Sequence, residues 1–256
     1  MMSNEQEGKL YYQLQQVAKD RLRPDGISAF LLAILIYSAV MSVVGLNAVI
    51  SGKLMESVWA NVLFLYIALS SLQLLMTLFF LNMKIAYKFQ RTQSIILCLS
   101  TFKFSVEGYL IYFLMCADRE LPNNTLYWGM YFLAIGVILL IPITIRAFAR
   151  ARKGHLEKGG QGLYNLENKR FHTIVGIMLF SALSIGIIVR FLPYGSWQSV
   201  MSNIFFLVVC NVVQYALVFA LPEFILLTYC KFRFASFRIA PPRQQKKKNG
   251  KGRMKK

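Results

Sequence analysis

The sequence predicts an all-α, polytopic membrane protein: a bundle of six transmembrane helices with both ends on the cytoplasmic side. Three observations carry that expectation. The 256 residues are 56% hydrophobic with a mean hydropathy of +0.49, above the roughly 45–50% apolar content of soluble domains. The excess is gathered into six stretches long enough to cross a bilayer, which takes about 20 apolar residues. Finally, the 29 lysines and arginines, which give a net charge of +18, fall almost wholly in alternate connectors.

The chain opens on a polar segment, residues 1–27, in which Glu5, Glu7, Asp20 and Asp25 oppose Lys9, Lys19, Arg21 and Arg23. It lacks the basic start, short apolar core and small-residue cleavage site of a secretory signal, so the first span is expected to be an uncleaved anchor. Leu10, Leu14, Val17 and Leu22 recur at helical spacing. Two readings stand: an amphipathic helix on the inner membrane surface, or a short solvated helix or frayed tail.

The transmembrane domain, residues 28–230, holds the apolar stretches Ser28–Ile50, Ser57–Leu81, Ser94–Cys116, Thr125–Ile145, His172–Leu192 and Ser202–Tyr229. Their connectors are short except for Arg146–Phe171, which is basic and contains Gly154, Gly159, Gly160 and Gly162. Positive loops stay in the cytoplasm. With the N-terminus inside, the cytoplasmic segments hold 25 of the 29 basic residues and the outer side only Lys53, Arg119 and Arg190, with Lys103 inside a span. One span more or fewer would destroy that alternation.

The third span carries Lys103 and Glu107, and an ionisable residue at membrane depth needs a partner and an environment of protein or water. At i and i+4 the two share a helix face and can neutralise each other, with Ser100 on the same side. Thr101, Ser105 and Gly108 form a small-residue face suited to close helix approach, so this span is expected to be central. The pair reads either as a polar pathway or ligand site or as a self-neutralised structural element.

The last span adds Asn211, Gln214, Tyr215, Pro222 and Glu223. Proline removes a backbone donor and kinks a helix, which puts Glu223 at the kink, on roughly the opposite face from Gln214 at 100° per residue. Asn211, Gln214 and Glu223 join Lys103 and Glu107 as the candidate intramembrane polar site. The steps Ser38–Ser42–Gly45 and Ala182–Gly186 read as helix packing. His155, His172 and Arg190 have no partner at ligand spacing and read as structural.

The tail, residues 231–256, contains Arg243, Lys246, Lys247 and Lys248 and no acidic residue. Such a run has nothing to bury and repels itself. Its expected partner is the anionic headgroup layer, each close basic residue contributing about 1 kcal/mol. Nucleic acid would answer to the same charge, but the headgroups are nearer. A protein partner is the further expectation for the loop at 146–171.

Other chemistry is excluded by pattern. Cys98, Cys116, Cys210 and Cys230 lie in or beside apolar stretches without metal or redox spacing and read as packing residues. The glycines of the basic loop lack the strand, helix and Lys-Ser/Thr context of a phosphate cradle and read as a flexible loop. No H-E-x-x-H, G-x-S-x-G, aspartate cluster or Cys-His dyad is present, and no cofactor or metal is expected. Asn123-Asn124-Thr125 is a formal glycosylation sequon, too close to the fourth span for ready transfer.

These readings rank a transporter or channel-type subunit first, using Lys103, Glu107 and the polar groups of the last span. A non-transporting receptor, immunity or assembly protein acting through the basic loop and tail is second, and an enzyme acting on lipid third. A plasma or inner membrane is favoured over an endomembrane.

Overall fold

A computed structural model describes residues 10–51, 54, 58–119, 121–160, 162–163 and 196–241. The fifth apolar stretch, His172–Leu192, and the tail residues Arg243, Lys246, Lys247 and Lys248 lie outside the described residues. Among the described residues seven α-helices follow in order: α1 Tyr12–Lys19, α2 Pro24–Ser51, α3 Val58–Leu81, α4 Met83–Lys88, α5 Gln90–Asp118, α6 Asn123–Arg152 and α7 Ser196–Arg233. A short 3-10 turn, Ala235–Phe237, follows α7. Five of the helices, α2, α3, α5, α6 and α7, are long and apolar enough to cross a membrane.

The helices turn the soluble pattern inside out. Ile36, Val43, Leu65, Leu75, Ile138 and Ile141 are exposed on the outer surface of the bundle, whereas Ser38, Gln73, Thr77, Ser100, Thr101, Glu107 and Gln214 are buried within it. Water would drive the opposite sorting. Lipid permits it, because apolar side chains lose nothing by facing hydrocarbon and polar ones find partners only between helices. The arrangement fits a multi-pass membrane protein.

Side-chain pairings fix the relative directions of the helices. Ser28 reaches the Phe80 carbonyl and Tyr66 the Ser38 carbonyl, so α2 and α3 are antiparallel. Gln93 meets Ser28 and Glu107 meets Ser38, so α2 and α5 are parallel. Asn203 lies against Cys116 and Thr228 against Cys98, so α5 and α7 are antiparallel. Gln214 reaches the Leu133 carbonyl while Tyr229 packs on Phe148, so α6 and α7 run the same way.

One end of the bundle therefore gathers Arg21, Arg23, Lys84, Lys88, Arg91, Arg152 and Arg233, and is called the basic end below. α5 is the central helix: 56% of its span is buried against 11–28% for the other four. The small face anticipated from Thr101, Ser105 and Gly108 meets α7, where a Cβ on Gly108 would stand 3.0 Å from Cys210 Sγ.

At the basic end, α1 packs Leu14 and Ala18 into a cluster with Leu156, Leu227, Cys230 and Phe234. Gln13 ties it to the loop after α6, its side chain donating to the Glu157 and Gly160 carbonyls at 3.0 and 2.7 Å. That loop begins later than expected. Helix α6 continues to Arg152 because Ala147 and Ala151 are buried and its arginines are good helix formers. The described part of the loop is a run of turns rather than a loose strand. Gly154, Gly159 and Gly162 take φ of 81°, 83° and 75° there, a region that costs side-chain-bearing residues dearly.

Candidate functional site

The third span delivers Lys103 and Glu107 to the middle of the bundle, where Lys103 Nζ donates to Glu107 Oε2 at 3.0 Å. Two neighbouring helices complete the site. Ser38 of α2 donates its hydroxyl to Glu107 Oε2 at 3.0 Å and accepts Lys103 Nζ at 2.9 Å. Tyr66 of α3 brings its hydroxyl to 2.9 Å from both Glu107 Oε1 and the Ser38 carbonyl, and its single proton serves one acceptor at a time. The lysine ammonium also stands 4.5 Å from the centre of the Tyr66 ring, within cation–π range.

The carboxylate is enclosed and the amine is not. Glu107's side chain is 0% exposed and that of Lys103 is 16% exposed. Every lone pair used by Glu107 is met by a donor from within the protein, as a charge in a poor solvent requires. The Lys103 side chain is left at the boundary between two cavities in the groove where α3 and α5 meet. One, about 350 Å³, lies toward the basic end between Leu69, Gln73, Met76, Ile96 and Ser100. The other, about 270 Å³, lies toward the opposite end and is lined by Trp59, Val62, Tyr66, Glu107, Phe113 and Leu133. Leu69 and Lys103 belong to both. The walls are apolar and the polar groups sit on the floor.

Gln73 adds an unsatisfied amide to that floor. It is 6% exposed, and neither its nitrogen nor its oxygen has a partner among the described residues. A buried amide without partners costs a few kcal/mol in an apolar medium, so the groove has capacity to hydrogen-bond something.

Asn211 and Gln214 form a second polar cluster, separate from the first. Tyr109 of α5 donates its hydroxyl toward Gln214 Oε1 at 2.8 Å and Asn211 Oδ1 at 3.1 Å. Gln214 Nε2 donates to the Leu133 carbonyl of α6 at 3.1 Å. Helix α6 comes this close because residue 136 is glycine; a Cβ there would collide with the Gln214 amide. The cluster joins α5, α6 and α7 with neutral groups only.

Glu223 joins neither cluster. It lies at the basic end, where it pairs with Arg21 of the segment between α1 and α2. Nine residues along a helix amount to about 13 Å of rise, which carries Glu223 out of reach of Gln214. Sequence reasoning named Lys103 and Glu107 but missed Ser38 as a ligand of the pair, Tyr66 and Gln73. A glutamine inside an apolar stretch was a legible signal. A serine or tyrosine there is not, since both occur in spans for packing alone.

Among the described residues no group of three His, Cys, Asp or Glu side chains converges on a metal position, and the four cysteines are unbridged. No protein-family model, curated protein sequence or solved structure matches the chain. The functional reading rests on this geometry: a helical multi-pass membrane protein with one charged pair at the junction of two cavities.

Proposed function

We propose that the chain is a six-span, N-in and C-in transport-type protein, which moves an amphipathic solute along the groove between α3 and α5. The observation that carries the reading is the position of Lys103, bound to a fully enclosed carboxylate and bordering two cavities that lie toward opposite ends of the bundle. Apolar walls suit the tail of an amphiphile. A lysine, a serine and a free glutamine amide on the floor suit its polar head.

The six-span topology draws support from two sources. The basic residues alternate between sides as the positive-inside rule requires. Moreover, α6 and α7 run parallel, so a chain that leaves α6 at the basic end must return to the opposite end before α7 begins at Ser196. The stretch His172–Leu192 has the composition and, at about 1.5 Å per residue, the length to make that return.

The test is reconstitution. Purified protein in liposomes should accelerate exchange of a fluorescent short-chain phospholipid between leaflets, and Lys103→Met with Glu107→Leu should abolish the acceleration while leaving the protein folded. Exchange at the protein-free rate would contradict the proposal.

A second reading has its own observation. The α1 helix, the loop after α6 and the end of α7 are knitted into one surface by Gln13, by Gln15 donating to the Ser236 carbonyl at 3.1 Å, and by Arg150 donating to the Gly162 carbonyl at 3.3 Å. Such a platform suits a receptor, immunity or assembly protein with a cytosolic partner. Capture of one stoichiometric protein by the reconstituted chain, with no solute movement, would favour it.

A further inference from the structure

At the basic end, the start of α5 and the segment after α7 enclose a cavity of about 460 Å³. Its wall includes Lys88, Arg91 and Arg238, and no acidic residue lines it. The two walls are fastened by one side chain. Gln90 Nε2 donates to the Ile239 carbonyl at 2.6 Å, and its Oε1 accepts the Ile239 amide at 3.0 Å. That reciprocal pair holds residues 238–240 in register with α5, so the three cations face one space on a fixed frame.

Two of the three cations are positioned by something other than an anion. Lys88 Nζ stands 5.4 Å from the Phe89 ring centre. Arg91 lies 5.4 Å from the Phe232 ring and donates to the Lys231 and Phe232 carbonyls at 3.3 and 3.4 Å. Two of its five N–H groups are thereby used, leaving others for a ligand. The carboxylate of Asp25 is occupied by Arg23 at 2.8 Å and by the Tyr87 hydroxyl at 3.2 Å. Burial first, and the Asp25 charge second, raise the Tyr87 pKa above its ordinary value, so Tyr87 stays neutral and keeps its proton on Asp25.

We propose that this cavity binds a doubly charged phosphate group, presented either by a lipid headgroup or by a soluble phosphate. The shared chemistry is a compact dianion with several acceptor oxygens, which matches two arginine forks and one point-charge lysine. A singly charged phosphodiester offers half the charge to the same three cations. The site is distinct from the basic run beyond residue 241, whose expected attraction to membrane charge rests on its sequence alone. It stands independently of the transport reading.

The experiment uses the full chain in neutral phosphatidylcholine nanodiscs, titrated with dioctanoyl phosphatidic acid, with inorganic phosphate, and with dioctanoyl phosphatidylglycerol as the singly charged control. Saturable binding of phosphatidic acid or inorganic phosphate, at least tenfold tighter than phosphatidylglycerol, is expected. Whichever of the two binds identifies the source. Removing one basic contact should weaken binding about fivefold, so Lys88→Gln with Arg238→Gln should weaken it about 30-fold, whereas Lys247→Gln with Lys248→Gln should change it less than threefold. Neither side chain fastens the walls, so the melting temperature should not move; should the double variant fold poorly, Arg238→Gln alone should still show the fivefold loss. Absence of saturable binding by both phosphates, or an equal loss in the 247/248 pair, would overturn the proposal.

Discussion

The two polar clusters of the bundle sit within two turns of each other on α5 and solve the same problem differently. Around Glu107 a charged pair on α5 is met by hydroxyls from α2 and α3, and one member, Lys103, is left at the edge of two cavities. Around Gln214 the groups are neutral and come from α5, α6 and α7, closed off by the contact at Gly136. Neutral hydrogen bonds between membrane helices contribute about 0.6 kcal/mol each and serve as glue. A charge pair at the same depth is a costly way to obtain glue, and its placement beside open space is what a functional role would require.

The comparison breaks most visibly if one charge is removed. Glu107→Ala strands the Lys103 ammonium and leaves the Ser38 and Tyr66 hydroxyls without their acceptor. By analogy with buried pairs in soluble cores it should cost about 3–5 kcal/mol, read as a large drop in thermal midpoint in detergent. The Lys103→Met, Glu107→Leu variant should recover most of that loss. A single variant as stable as the parent would show that the pair is not buried.

Next in size is the neutral cluster's close approach. Gly136→Leu forces α6 away from Gln214 and should cost about 1–3 kcal/mol, as overpacking does. Gln214→Leu, which keeps the volume but removes both hydrogen bonds, should cost at most about 1.7 kcal/mol, measured in the same melting assay. If Gln214→Leu destabilised as strongly as Glu107→Ala, the distinction between glue and charged site would fail.

The smallest effect belongs to the ion pair at the basic end. Arg21's side chain is 63% exposed, and exposed pairs contribute about 1 kcal/mol or less. Arg21→Ala should therefore leave the thermal midpoint nearly unchanged, and any effect should vanish at high salt.

These differences bear on how much the sequence could reveal. Lys103 and Glu107 were legible because two ionisable residues at i and i+4 in an apolar stretch have few explanations. The helical class and the central place of the third span followed from hydropathy and from Thr101, Ser105 and Gly108. What stayed hidden depends on contacts between spans. Ser38 looked like a packing residue and Tyr66 like one aromatic among many, and the sequence, which put Glu223 at the Pro222 kink, gave no sign that its partner is Arg21. Helix α6 runs beyond the apolar stretch to Arg152, because charge ends a hydrophobic span without ending a helix.

The central claim is that the Lys103–Glu107 pair works rather than merely holds, and one measurement addresses it directly. Lys103→Met, Glu107→Leu protein, shown to melt within a few degrees of the parent, is reconstituted in liposomes beside the parent, and leaflet exchange of a fluorescent short-chain phospholipid is followed. The account predicts acceleration by the parent and the protein-free rate for the variant. A folded variant that exchanges lipid as fast as the parent would reduce the pair to a structural element and contradict the claim.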